Sequence, residues 1–294
     1  MIYRVWHSTR YTYADAIPLS HNVVRMRPRD HSSQTCRWHT LSVLPIPAVS
    51  NELLDYFGNQ VTWLSLQEPH TELTIAAESE IEVKLNLRPD ISQGGSWQQV
   101  REALRYDPGR DIVPVRQFTF DSVYAKRSPE LSAYALASFT GDRSFLECVL
   151  DLSNRIHRDF TYLPGSTKVG TPSLEVLRTR KGVCQDFAHL QIGCLRSLGL
   201  AARYVSGYIA TTPPPGKARL AGADASHAWV SVFTPDFGWV DFDPTNGMMP
   251  LDSHVTVAWG RDYDDVGPIR GILVGGQRQR LEVNVDVVPM ENLA

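Results

Sequence analysis

Cysteine is scarce in this chain. The four present in 294 residues, Cys36, Cys148, Cys184 and Cys194, are too few and too scattered for a disulfide framework. An uninterrupted apolar span of about 20 residues, the length a membrane helix needs, is lacking. So are internal repeats and low-complexity segments. Met1 to His7 alternates like a strand and has no apolar core of the kind a secretory signal requires. Neither sign of charge is in excess: 29 Lys and Arg stand against 32 Asp and Glu, a net charge of −3. That balance gives no general affinity for nucleic acid or an anionic membrane. The expected compartment is the cytoplasm. The hydrophobic fraction of 43% suits a globular protein. The length allows one large domain or two ordinary ones.

Residues 1–88 read as all-β. Tyr3 to Tyr13 alternates apolar and polar residues, with similar runs near Asn22–Met26, Arg37–Leu44, Gln60–Leu66 and Glu72–Leu85. Gly58-Asn59 predicts a tight hairpin between Leu53–Phe57 and Gln60–Leu66. Together these predict an antiparallel sandwich or barrel. Pro89, Gly94 and Gly95 mark a boundary, and an irregular stretch is expected through Pro114. Helices are expected at Ser128-Pro129-Glu130, from Ser144 to Arg158 and at Ser173. Beyond Gly199 strands return: Ala202–Ile209, His227–Phe233, Gly238–Phe242, Thr256–Trp259 and Leu281–Val288. Thr211 to Gly216 reads as a polar loop. The expected division is a β-rich domain over 1–88 and a second domain over 89–294. The second has its core at about 144–247 and includes the C-terminal strands.

One stretch stands out, Arg180-Lys181-Gly182-Val183-Cys184-Gln185-Asp186. Phe187, Leu190, Cys194, Leu195 and Leu198 follow as one helical stripe, and Gly199 ends the run. Cys184 then falls in the first turn of a buried helix, where free N–H groups and the helix dipole favour a thiolate. A buried structural cysteine is the alternative. His189 would turn away from Cys184 by roughly 140°, and Cys194 would lie about 15 Å along the helix. Neither completes a site, and the Cys and His spacings form no zinc ligand set. Asp186 reads as a dipole-stabilising residue. Cys148, at helical spacing with Phe145, Val149 and Leu152, reads as core.

A cysteine nucleophile needs a base, and the base needs an orienting group. His227 opens one strand, and Asp241 and Asp243 lie at the end of the next. A hairpin centred on Pro235 sets Ser231 opposite Trp239, Trp229 opposite Asp241 and His227 opposite Asp243. Opposed residues hold their Cβ atoms about 4.5–5.5 Å apart, near enough for Asp243 to fix the imidazole. Asp241, on the same face, is the other candidate.

These segments resemble the transglutaminase-like superfamily: Gly182-Val183-Cys184-Gln185-Asp186, Leu195 through Tyr208, His227-Ala228-Trp229-Val230 and Trp239 through Gly247, in the order Cys, His, Asp. Residues 1–88 resemble the amino-terminal domain of bacterial members, and Gly260 to Val266 resembles a signature of that subgroup. The resemblance implies an α+β fold, a papain-like core with an N-terminal antiparallel β-sandwich. It implies a catalytic triad of Cys184, His227 and Asp243, the last from Asp243-Pro244-Thr245, performing acyl transfer on amide bonds. Members include amine-transferring crosslinkers, proteases and inactive relatives. Peptide or amide hydrolysis is favoured for a compact chain without a second-substrate module. Protein-glutamine amine transfer and a non-catalytic binding module are the alternatives. The oxyanion donors are expected to be the Cys184 N–H and Tyr162. No cofactor or metal is expected, and the expected partner is a peptide or protein amide substrate, not nucleic acid or membrane.

Overall fold

The computed structural model describes residues 1–84, 88–106, 109, 111–141, 143–210, 226–275 and 278–290. The chain begins with six strands: β1 (Ile2–Ile17), β2 (Leu19–Val24), β3 (Gln34–Leu44), β4 (Val49–Leu54), β5 (Gln60–Leu66) and β6 (His70–Val83). Helices α1 (Trp97–Arg105), α2 (Val113–Arg116), α3 (Pro129–Leu136) and α4 (Phe145–Asp159) follow. Next come β7 (Thr161–Tyr162), α5 (Ser173–Thr179), β8 (Lys181–Gly182) and α6 (Cys184–Ser197). The last part holds β9 (Ala202–Ile209), β10 (Ser226–Thr234), β11 (Gly238–Phe242), β12 (His254–Gly260), α7 (Tyr263–Val266), β13 (Ile269–Val274) and β14 (Gln279–Met290). The loop expected at Thr211 to Gly216 lies outside the described residues.

Alternation shapes the first unit. In β1 the residues Tyr3, Val5, His7 and Thr9 are buried and their neighbours face outward, and β6 repeats the pattern from Leu73 to Val83. Two antiparallel sheets result, β14-β1-β6-β3 and β13-β2-β5-β4. They enclose Tyr13, Ile17, Val24, Leu64, Leu66, Leu73 and Ile75. The C-terminal strands, expected with residues 89–294, belong to this sandwich instead. β14 pairs along β1 from Ile2↔Met290 to Tyr13↔Gln279, and β13 pairs with β2. The physical reason is edge coverage: without them β1 and β2 would each present an unpaired row of backbone groups. The Gly58-Asn59 hairpin is also wider than expected, because the Asp55 carboxylate accepts from the Phe57 and Asn59 amides, each at 2.9 Å, and holds open the loop 55–59.

The far end of the first sheet, with Tyr3, Val5, Ile81, Val83, Val285 and Val287, packs into the core of the second unit. That core is built on the sheet β11-β10-β9-β12 with α6 against it. A single apolar stripe was expected on α6. Instead every residue from Asp186 to Arg196 is buried, because β9 and β10 cover one side and α3, α4 and α5 the others. Two of the polar residues so enclosed donate to neighbouring oxygens. Gln191 donates to Ser153 Oγ at 2.8 Å, and Arg196 donates to the carbonyls of Phe118, Ala125, Ala202 and Arg261. The stretch after Gly95, expected to be irregular, forms α1. Ser96 and Gln99 make a reciprocal capping box there, a device worth ~1 kcal/mol. Ser144 and Glu147 cap α4 in the same way. Ser173 opens α5 rather than capping it, the cap being Pro172.

Candidate active site

Cys184 is the first residue of α6 and is half-buried. The turn it sits on is fixed by Asp186, whose Oδ2 accepts from the Val183 amide at 2.8 Å and from Thr167 Oγ1 at 2.6 Å. Burial raises the Asp186 pKa, and these two donors oppose the rise. The parallel pairing of β7 with β8 sets Tyr162 beside Gly182, two residues before Cys184. Burial, with the charge on Cys184, raises the Tyr162 pKa. Its ring is also 6.4 Å from that of Phe187. Burial pushes Cys148 up to about 11 and Cys194 up to about 12, and raises Cys36.

His227 lies on β10, with Gly207 of β9 as its cross-strand partner. A side chain at Gly207 would put its Cβ 2.6 Å from the Trp229 ring and against the Val255 carbonyl oxygen. Glycine therefore admits the indole that stacks 6.1 Å from the His227 ring. The β10–β11 register differs from the expectation by two residues: Ser231 pairs with Asp241, and Phe233 with Trp239. The turn closes at Thr234↔Gly238, leaving the three-residue loop 235–237, and Gly238 leaves it at φ 70°. Thr234 Oγ1 accepts the Asp236 amide at 3.1 Å inside it. The contact between His227 and Asp243 forms nonetheless, across a diagonal rather than a directly opposed pair, which long side chains can span.

Asp243 is fully buried. Its Oδ2 accepts from His227 Nε2 at 2.7 Å, Asn246 Nδ2 at 2.6 Å and His254 Nε2 at 3.1 Å. Its Oδ1 accepts the amides of Thr245 at 2.9 Å and Asn246 at 3.2 Å. Burial disfavours the carboxylate, but these donors outweigh it, His227 foremost, and hold Asp243 well below the usual carboxylate range. Burial likewise disfavours a charged His227. The hydrogen bonds and charges of Asp243 and Cys184 overcome it and push His227 up to about 10. With Nε2 committed to Asp243, Nδ1 is the nitrogen left for the thiol. The arrangement brings the thiol of a helix's first residue and a carboxylate-bound imidazole into one site. Asp241 meets a different group, accepting Trp229 Nε1–H at 3.0 Å.

Sequence spacing suggested no metal ligand set, yet the fold assembles one. The ligand atoms of His227, Asp243 and His254 lie within 4.8 Å of one another, all three residues are buried, and the group could hold a metal ion. The imidazole N–H bonds already point at the carboxylate, so an ion would have to displace both protons. His254 escaped sequence reading because the strand was expected to start at Thr256. The β-branched run Val255-Thr256-Val257 was the available signal. His189 sits apart, its Nε2 accepting the Tyr263 amide at 3.2 Å, and burial lowers its pKa to about 3. The Gly260 to Val266 segment now has a structural role. Asp262 caps α7 and accepts the Tyr124 amide at 2.7 Å, while Arg261 offers its carbonyl to Arg196 at 2.6 Å.

Comparison with known proteins gives two family matches. The bacterial transglutaminase-like N-terminal region matches residues 3–82, and the transglutaminase-like superfamily matches residues 133–244. An uncharacterized protein of Mycobacterium tuberculosis is 42% identical over 98% of this chain and 93% of its own length. A protein-glutamine gamma-glutamyltransferase of Pseudomonas aeruginosa is 32% identical over 32% of this chain and 14% of its own length. Among solved structures, a "putative cysteine protease" of Cytophaga hutchinsonii superposes with a TM-score of 0.75 at 21% identity. It covers 99% of this chain and 92% of that one, a likeness of fold. No helix among the described residues is long and apolar enough to cross a membrane.

Proposed function

The chain belongs to the transglutaminase-like superfamily, and from that premise we propose that it is a cysteine-nucleophile amide hydrolase working through Cys184, His227 and Asp243. The observation that carries the reading is the His227 ring, bound through Nε2 to Asp243 at 2.7 Å and near enough to Cys184 for its charge to help hold the ring protonated. In this reading Cys184 Sγ attacks the amide carbon and the oxygen takes the charge. The Cys184 N–H, a free first-turn amide, meets that charge, with the Tyr162 hydroxyl as second donor. The tetrahedral adduct collapses, the C–N bond breaks, and His227 gives its proton to the leaving amine. Water then attacks the thioester with His227 as base, releasing the carboxylic acid and restoring Cys184. Asp243 keeps the ring oriented and supports its charge throughout. The four cysteines, free in this structure, suit a reducing compartment, and we place the protein in the cytoplasm.

Amine transfer is the second reading, favoured by the short match to the Pseudomonas aeruginosa gamma-glutamyltransferase. Both readings share the acyl-enzyme and differ in what resolves it. Mass spectrometry of glutamine-containing and other peptides, with and without methylamine, separates them. Hydrolysis gives cleavage or conversion of amide to acid whether or not amine is added. Transfer gives a methylamide adduct in its presence. A non-catalytic module gives neither, and no mass increase on Cys184 in either condition.

A further inference from the structure

A second site lies on the face of the β11-β10-β9-β12 sheet away from α6. Ala228, Val230 and Val232 point into the helical core, so the alternate residues of β10 face the other way. There the two units enclose a cavity of about 770 Å³, within the size range of small-molecule sites. Its walls include His31 and Gln34 from the first unit and Arg203, Trp229, Trp239 and Asp241 from the sheet. Cys184 and His227 are not among its described walls.

The unusual feature is buried positive charge. Arg203 is 8% exposed, and its guanidinium lies 4.2 Å from the Trp239 ring centroid and 3.7 Å from that of Trp259. Arg29, also buried, covers Trp259 at 3.3 Å. Among the described residues neither arginine enters an ion pair, and the Nε of each lacks a hydrogen-bond partner. Lys84 and Arg88 add positive charge to the walls, and Asp241 is the one acidic residue among the described lining. Stacking on indoles offsets part of the cost of burying such a cation, but an anion would offset more.

We propose that this cavity binds a small organic carboxylate anchored by Arg203. The guanidinium fork matches a carboxylate. Trp239, Met249 and Leu251 offer apolar surface for an organic body. Asp241 would repel a doubly charged phosphate more strongly than a singly charged carboxylate. The site stands independently of the acyl-transfer reading. It touches that machinery through His254, which lines the cavity and donates to Asp243 at 3.1 Å.

Calorimetry and tryptophan fluorescence of the full chain test the proposal, with 3-phenylpropionate as probe. The uncharged 3-phenylpropanol and inorganic phosphate serve as comparisons at equal ionic strength. Saturable binding of the carboxylate alone is expected. Arg203→Gln should weaken it by about tenfold or more, the loss of a charge-assisted anchor. Asp241→Asn should tighten it by roughly threefold, since a nearby like charge is removed. No saturable binding, equal binding of the alcohol, tighter binding of phosphate, or unchanged affinity in Arg203→Gln would overturn the proposal. If Arg203→Gln does not fold, Asp241→Asn decides: tightening supports the site, and unchanged or weaker binding refutes it.

Discussion

Asp241 and Asp243 stand two residues apart, yet their surroundings are opposites. Asp243 is enclosed by five hydrogen-bond donors, two of them imidazoles. Asp241 accepts one indole N–H and shares a cavity wall with buried Arg203, the two flanking Ser231 on one sheet face. Near-identical placement on a strand therefore does not assign a role to a carboxylate. What assigns it is which donors the chain beyond the strand folds back. Asp243 gains Thr245 and Asn246 from its own turn, and His254 from β12. Asp241 ends where the sheet meets the N-terminal unit.

The largest break in this comparison comes from removing the sulfur both regions leave to His227. Cys184→Ala should abolish acyl-enzyme and turnover completely, with circular dichroism unchanged because the residue lies at a helix start. Residual turnover above background would exclude Cys184 as the nucleophile. Asp243→Asn should follow, with kcat/KM down roughly 10–10³-fold through loss of supporting charge and the correct tautomer. Asp241→Asn, measured beside it, should stay within about threefold, less than ~0.7 kcal/mol. His254→Ala removes one of five donors to Asp243 and should cost about fivefold, ~1 kcal/mol, the net worth of one hydrogen bond. A loss as large as that of Asp243→Asn would make His254 part of the proton path.

The pH dependence of stability sharpens the same contrast. The folded-state pKa of His227, about 10, lies above the unfolded value near 6.5. Its stabilisation is therefore complete below about pH 6.5 and is lost as the pH rises through about 10. Asp243, held low in the folded state, stabilises above about pH 3.9, and that contribution is lost only as the pH falls through its depressed folded value. In urea unfolding, Asp243→Asn should flatten the alkaline decline between about pH 7 and 10, while Asp241→Asn should retain it. Equal slopes in the two variants would uncouple His227 from Asp243.

The first unit was legible in the sequence because a half-buried strand writes its period of two into every residue, as β1 and β6 do. The Cys184 helix start was legible from its apolar spacing and the Gly199 stop. Asp243, as His227's partner, was reached through a register two residues off. Two-residue slips keep the same face, and the diagonal contact tolerates the error. The return of β13 and β14 to the first unit was not legible, because pairing between the two ends of the chain leaves no local periodicity. His254 was missed for a similar reason, being joined to Asp243 only by tertiary folding. The capping of α1 by Ser96 and Gln99 was readable in principle but lay between Gly95 and Pro108, where turn residues obscured it.

The central claim concerns a thiol, an imidazole and one carboxylate of two, and it can be tested without knowing the substrate. The rate of iodoacetamide labelling at each cysteine, resolved by peptide mapping at pH 7, is compared in wild type, Asp243→Asn and Asp241→Asn. The account predicts that Cys184 labels fastest of the four thiols, that Asp243→Asn slows it several-fold, and that Asp241→Asn leaves it unchanged. Faster labelling of Cys36 or Cys194 in the folded protein, or a greater slowing by Asp241→Asn than by Asp243→Asn, would contradict it.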